Sequence, residues 1–332
     1  MKVAVIGSTS WGTTLAVILA RKGIDVSLLG FTPEEARKMA KERENADRLP
    51  GIQFPPSLVP VGGIDEAMRS ASLVIVAVPS QEMRRNMREA KGHIQLKTIV
   101  VSGSKGFELN SDKRMTEVII DELGVKYKPY ICALSGPNLS KEIAQGLPAA
   151  SMVAAYNIKT AEAARQVLNS PSFQIYTSDD VVGVELGGTL KNIVALGAGM
   201  VDGLGYGNNA KAAYMAHGLS EIAALGVAMG AKPLTFLGLS GLGDLLATCD
   251  SSLSRNHTLG EGMARGCSMQ EMIESIGSTV EGIPTTAAAL KLSRELGVEM
   301  PITERIYRVL YEGLSPAKAM AELIGDLQPL SK

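Results

Sequence analysis

The chain opens with "MKVAVIGSTSWGTTLA" (residues 1–16). An apolar run, Val3 to Ile6, meets Gly7, and a helical pattern begins near Trp11. Strand, glycine turn and helix in that order form the first unit of a dinucleotide-binding fold. The G-x-G-x-x-G fingerprint of that unit would put glycines at 7, 9 and 12, but position 9 is threonine. The second glycine of the fingerprint lets backbone approach a pyrophosphate. Thr9 puts a β-branched side chain there. It either pushes the phosphates outward or replaces a backbone contact with its hydroxyl. The free N–H groups of the helix N-terminus favour an anion in both cases. Taken alone, the stretch reads equally well as a strand–turn–helix without a ligand.

The pattern repeats along the first half. Short Val- and Ile-rich runs predict strands at Val3–Ile6, Val26–Leu29, Leu73–Val78, Ile99–Val101 and Tyr130–Leu134, with a further pair at Ala150–Ala155 and Phe173–Thr177. Nearly all their residues are apolar, as in strands buried on both faces. Helical patterns fall between several of them, at Thr13–Lys22, Pro33–Arg43 and Gln81–Lys91. Such alternation predicts a doubly wound parallel sheet, an α/β Rossmann-like domain. Ser178-Asp179-Asp180 reads as a helix start, and no strand pattern follows it. The expected organisation is a dinucleotide-binding domain over residues 1–180 and an all-α substrate-binding domain over 181–332. Residues 183–243 are rich in glycine and alanine, which implies tightly packed helices or loops shaped around a ligand.

Composition narrows the partners. The 332 residues are 45% hydrophobic and 20% charged with a net charge of −1, so no nucleic-acid or membrane-surface partner is expected. The three cysteines and three histidines stand apart in no metal spacing, and no metal site is legible. The cysteines read as reduced thiols of a cytoplasmic protein. The first strand leaves no room for a targeting segment before it, and charges interrupt every apolar stretch before it could span a bilayer.

Four later segments carry chemistry: "VSGSKGFE" (101–108), "LSGPNLSKEIAQGLP" (134–148), "ELGGTLKNIVALGAG" (185–199) and "TFLGLSGLGDLLATCDSSLSRNHTLG" (235–260). With "STSWGT" (8–13), "RENADRLPGI" (43–52) and "TVEGI" (279–283), they resemble the bacterial NAD(P)-dependent glycerol-3-phosphate dehydrogenases. The resemblance runs in order from residue 1 to about 290. It implies NAD or NADP as cofactor and reversible reduction of dihydroxyacetone phosphate to sn-glycerol 3-phosphate, the glycerophospholipid backbone. A homodimer is the expected assembly.

The residues suit that chemistry. Hydride delivery to a ketone leaves an alkoxide, which needs a proton from a positioned acid. Lys191 stands in an apolar helical stretch, where a lysine is costly unless its stem reaches solvent. The resemblance makes it the proton donor in reduction and the acceptor in oxidation. Burial and a second cation would lower its pKa for that task. Lys105 matches the position that reaches substrate and cofactor, and could be that cation. Asp244, amid glycines and leucines, needs a partner if buried. The resemblance places it at the substrate, orienting Lys191; a helix cap is the plainer reading. Ser254 can begin a helix whose free amides face a phosphate. Arg255 adds a forked contact to it, with Asn256 beside it.

Gly136 and Asn138 match substrate-loop positions, the second with asparagine where many bacterial members have serine. On the cofactor side the resemblance marks Gly7, Thr9, Ser10, Trp11, Gly12, Phe31, Arg48, Lys105, Ser140, Arg255, Thr279 and Glu281. Ser140 stands where alanine is usual, Arg48 where tyrosine is usual, Phe31 and Thr32 where arginine is frequent, and His217 where arginine is common. The end of the second strand, Gly30-Phe31-Thr32, offers neither a carboxylate for ribose hydroxyls nor a cation for a 2′-phosphate. Arg48 is the nearby candidate cation, and Phe31 could stack on adenine. Two other readings stand beside this one: a related reductase of another small phosphorylated or carboxylated keto or hydroxy acid, and a non-catalytic dinucleotide sensor. A sensor need not retain Lys105, Lys191, Asp244 and Arg255 together.

Overall fold

Strand β1 (Lys2–Ile6) leads into helix α1 (Ser10–Arg21), β2 (Asp25–Leu29), α2 (Pro33–Glu42), β3 (Leu58–Val61), α3 (Ile64–Met68), β4 (Ala71–Val76), α4 (Met83–Ala90) and β5 (Ile99–Ser102). A short ladder, β6 (Phe107–Glu108) with β7 (Lys113–Arg114), precedes α5 (Met115–Leu123), β8 (Ile131–Ser135), α6 (Ser140–Gln145), β9 (Ala149–Ala155), α7 (Ile158–Leu168) and β10 (Phe173–Ser178). This is a computed structural model, and it describes residues 1–325. The last part of the expected helical domain, residues 326–332, lies outside the described residues.

Eight strands form one sheet in the order β10-β9-β8-β5-β4-β1-β2-β3. Helices α1, α6 and α7 bury apolar residues on one face, and α3, α4 and α5 on the other. The order reverses between β1 and β4, and the crevice beyond their carboxyl ends is where such sheets bind ligands. Two features depart from expectation. The sheet is not wholly parallel: β9 pairs antiparallel with β8, and β10 runs parallel to β9. The six-residue α6 spans only about 9 Å, too short to carry the chain back along β8, so β9 itself makes the return. The second departure is β3, which the sequence pattern hides behind Pro60. As an edge strand, β3 tolerates a residue without an N–H.

Among the described residues no strand follows Ser178. The chain continues as α8 (Val181–Gly203), α9 (Gly207–Ala228), α10 (Asp244–Cys249), α11 (Arg255–Ala264), α12 (Met269–Ile276), α13 (Gly282–Leu296), α14 (Pro301–Tyr311) and α15 (Pro316–Gly325). Helix α8 is buried on every side along most of its length and is wrapped by α9, α10, α11, α13 and α14. It is long and apolar enough to cross a membrane, yet 94% of its most apolar window is buried inside the protein. Its glycines serve packing. A Cβ on Gly199 would stand 2.0 Å from the His257 carbonyl, and one on Gly260 would stand 1.9 Å from that of Leu196. Helices α8 and α11 therefore meet backbone to backbone. Lys191 and the first turn of α11 share this junction.

Candidate active site

The turn after β1 is built on two glycines. Gly7 has φ +104°, and a Cβ on Gly12 would lie 2.0 Å from the Gly7 carbonyl oxygen. Neither position accepts a side chain, so α1 starts hard against the strand end. Position 9 is different. Thr9 has φ −61° and caps α1, its hydroxyl accepting from the Gly12 N–H at 3.0 Å and donating to the Ala77 carbonyl at 2.8 Å. The threonine thus stabilises the turn that glycine would only permit. It leaves the N–H groups of Ser10 and Trp11, the first two of the helix, without intrahelical partners.

Beyond this turn lies a cavity of about 680 Å³. Thr9, Ser10, Trp11, Phe31, Arg48, Lys105, Asn138, Ser140, Lys191, Ser254, Arg255, Asn256, Thr279 and Glu281 all line it. Gly7, Gly12, Gly136 and Asp244 stand behind the wall and shape it. The cavity suits a dinucleotide on two observations. The α1 N-terminus opens onto it at Ser10 and Trp11, where helix amides favour an anion, and the Trp11 indole N–H is buried without a partner. At the far end the Arg48 guanidinium lies 4.8 Å from the centre of the Phe31 ring, and the Ser10 hydroxyl donates to the Arg48 carbonyl at 2.7 Å.

At the other end three charged side chains converge from three elements. Lys191 comes from mid-α8, Lys105 from the loop after β5, and Asp244 from the first position of α10. A single wide helical turn presents Asp244; the Gly243 N–H closes it on the Gly238 carbonyl at 3.1 Å. One oxygen of Asp244 takes Lys191 and the other takes Lys105 at 2.6 Å. Lys191 also donates to the Thr248 hydroxyl at 2.6 Å, and Lys105 to the Gly136 carbonyl at 3.1 Å. Asp244 and Lys191 are buried, at 1% and 7% exposure. Burial pushes the Lys191 ammonium down to about 8; Lys105 adds to that push, and Asp244 opposes it. The Gly106 N–H donates to the Thr189 hydroxyl at 3.1 Å, which locks the Lys105 loop onto the helix that carries Lys191.

Helix α11 points its N-terminus into the same cavity. Ser254 caps it, accepting from the His257 N–H at 3.3 Å. Among the described residues the Arg255 guanidinium has neither a hydrogen bond nor an ion pair, so it is a free fork at the wall. Asn256 is less free than its sequence position suggests. Its carbonyl accepts from the Gly282 N–H at 2.9 Å, and its amide donates to Asn192 at 2.9 Å. Glu281 is also engaged, accepting from the Ser80 N–H at 3.0 Å and the Ser80 hydroxyl at 2.5 Å. Thr248 and Asn192 are two polar lining residues that sequence reading missed. Thr248 stands one helical turn after Asp244, a spacing that puts both on one face of α10. Asn192 follows Lys191 directly.

The chain resembles known proteins along nearly its whole length. Residues 2–161 match the family model for the NAD-dependent glycerol-3-phosphate dehydrogenase N-terminus, and residues 180–321 match that for its C-terminus. The chain is 48% identical to the NAD(P)+ glycerol-3-phosphate dehydrogenase of Dehalococcoides mccartyi over 97% of this chain and 90% of that protein. The enzyme of the same name from Moorella thermoacetica is 44% identical over 97% and 95%. The crystal structure of glycerol-3-phosphate dehydrogenase from Coxiella burnetii superposes with a TM-score of 0.93 at 34% identity, covering 97% of this chain and 98% of that one.

Proposed function

The chain belongs to the NAD-dependent glycerol-3-phosphate dehydrogenase family, and on that premise we propose that it reduces dihydroxyacetone phosphate to sn-glycerol 3-phosphate, reversibly, with NADH or NADPH. The observation that carries the reading is the Asp244 carboxylate held between Lys191 and Lys105 at the cavity wall. When bound, the reduced nicotinamide supplies the hydride. Lys191 gives the proton that turns the resulting alkoxide into the hydroxyl, and takes it back in oxidation. With its pKa near 8, Lys191 is available in both protonation states close to neutral pH. Lys105 stands beside it as the second cation and polarises the carbonyl oxygen. Arg255 and the free amides of α11 hold the phosphate. Asn256 orients that helix end through Asn192 and Gly282, and Asn138 borders the substrate from the β8 loop. A sensor would have no use for a buried lysine lowered toward neutrality, and this disfavours the non-catalytic reading.

We further propose a division near residue 180, with dinucleotide binding in 1–180 and substrate binding in 181–332. The end of β10 at Ser178 and the start of α8 at Val181 support it. The three free cysteines support a cytoplasmic setting. The exposed apolar residues Val227, Leu234 and Leu237 support a homodimer, whose mass sedimentation would measure. The reaction itself is tested by following nicotinamide absorbance. Oxidation of NADH or NADPH is expected only with dihydroxyacetone phosphate present. Binding of a cofactor with no turnover would return the protein to the sensor class.

A further inference from the structure

We propose that Glu35 is the residue that biases this cleft against a cofactor bearing a 2′-phosphate, by neutralising Arg48 at the end of β2. The inference rests on the dehydrogenase reading above and extends it to cofactor choice.

In doubly wound sheets the carboxyl end of the second strand decides between the two nicotinamide dinucleotides. A carboxylate there serves the free ribose hydroxyls, and a cation accommodates the 2′-phosphate. The residues that directly follow β2, Gly30, Phe31 and Thr32, supply neither. The fold supplies what the strand end lacks. Helix α2 starts at Pro33, and its first turn brings Glu35 back over the strand end. One Glu35 oxygen accepts from the Phe31 N–H at 2.6 Å, and the other stands 3.6 Å from Arg48 Nε. Its side chain is 16% exposed, so this charge is only partly screened.

Phe31 and Arg48 both line the cavity; Glu35 touches both from behind. The Arg48 guanidinium carbon stands over the Phe31 ring, and the Ser10 hydroxyl fixes the Arg48 backbone. Lys38, outside the cavity lining, is paired with the lining residue Asp47 at 2.7 Å. Both of these cations therefore already have a carboxylate. A 2′-phosphate would have to draw Arg48 away from Glu35 while sitting near that carboxylate. A free ribose meets no such repulsion.

The test uses Glu35→Gln, which keeps an acceptor for the Phe31 N–H and removes the charge, and Glu35→Ala, which removes both. Trp11 is the single tryptophan of the chain and lines the cavity, so its fluorescence reports cofactor binding without turnover. Titration with NADP+ should give a Kd lowered about tenfold in Glu35→Gln, the scale of one nearby charge interaction at a partly exposed site. The Kd for NAD+ should change far less. The ratio of kcat/KM for NADPH over NADH should rise in parallel. Glu35→Ala should show the same direction, which separates the charge from the hydrogen bond. Adding Arg48→Ala to Glu35→Gln should erase the gain. An unchanged NADP+ to NAD+ affinity ratio in both Glu35 variants overturns the proposal, and so does a gain that survives loss of Arg48. Those results leave the dehydrogenase reading intact if the wild type turns over. A wild type that binds cofactor but does not turn over sinks that reading instead.

Discussion

Helix α8 passes through two buried ionic clusters, one at Glu185 and one at Lys191, and the balance of charge in them is opposite. At Glu185 a single guanidinium, Arg114, meets two carboxylates: Glu185 at 2.5 Å and Glu117 at 2.8 Å. The Thr116 N–H and hydroxyl fill the remaining acceptor sites of Glu185. Burial disfavours the Arg114 charge, but the two carboxylates outweigh it and raise its pKa. At Lys191 a single carboxylate meets two ammoniums, and burial pushes the lysine down, with Lys105 adding to the fall and Asp244 opposing it. Burial disfavours the charge at both sites; two carboxylates override it at Arg114, and one does not at Lys191. The Glu185 cluster is also closed off; none of its members lines the cavity. One cluster ties α8 to Arg114 and the other is the one proposed above for proton transfer, and the comparison can be broken by mutation.

The largest effect is expected at Lys191. Lys191→Ala should lower kcat by about 10²–10⁴, the usual scale of acid–base catalysis. In the wild type, oxidation of glycerol 3-phosphate should rise with pH through about 8 as Lys191 loses its proton, and reduction should fall there. Steady-state assays across pH check both. A variant that keeps the rate would leave the two clusters without a functional difference.

Glu185→Ala should behave in reverse. It strands Arg114 with only its more exposed partner, and breaking such a buried pair costs about 3–5 kcal/mol of stability. Urea unfolding should register that loss, with kcat per folded molecule little changed. A kcat drop on the scale of Lys191→Ala would show that the Glu185 cluster also serves the chemistry.

Arg255→Ala should remove about 2–4 kcal/mol of transition-state binding, read as kcat/KM, because the forked contact goes and a phosphate is left unpaired. Equal rates for dihydroxyacetone with and without its phosphate would rule out Arg255 as the anchor. Thr9→Gly should cost up to about 1 kcal/mol of stability through the lost cap. Because it frees the Gly12 N–H, cofactor affinity should hold or tighten. If binding is abolished, the Thr9 hydroxyl is itself a phosphate ligand.

The sheet was legible because strands buried on both faces leave unbroken Val and Ile runs, as at β1 and β4. Strand direction was not, since β9 carries the same composition whichever way it runs. Only the brevity of α6 turns it around. Lys105, Lys191 and Asp244 were legible through a resemblance over long segments, not through any local pattern. Their shared carboxylate is a contact between positions far apart in the chain. Glu35 escaped for a related reason. The local pattern ends at Gly30, Phe31 and Thr32, the three residues after β2, whereas the carboxylate arrives from a helix turn folded back over them. Thr9 looked like a defect in a glycine pattern because that pattern records what a turn tolerates, whereas the cap depends on the Thr9 hydroxyl accepting from the Gly12 N–H while it donates to the distant Ala77 carbonyl.

The tie between Glu185 and Arg114 bears on how this enzyme could be recombined. The boundary between strands and helices near residue 180 looks like a natural crossover point for shuffling segments with relatives. A crossover there separates Glu185 from Arg114 and Thr116, and Thr189 from the Lys105 loop. Any exchange partner would have to bring matching residues on both sides of the cut. A cut after Gly203 keeps α8 with Arg114 and the Lys105 loop but parts it from α9, α10, α11, α13 and α14, Lys191 from Asp244 included, and crosses the seam where α8 and α11 pack glycine to backbone. Chimeras joined after Gly203 should therefore outperform those joined at 180 only when the donor conserves that whole set of contacts.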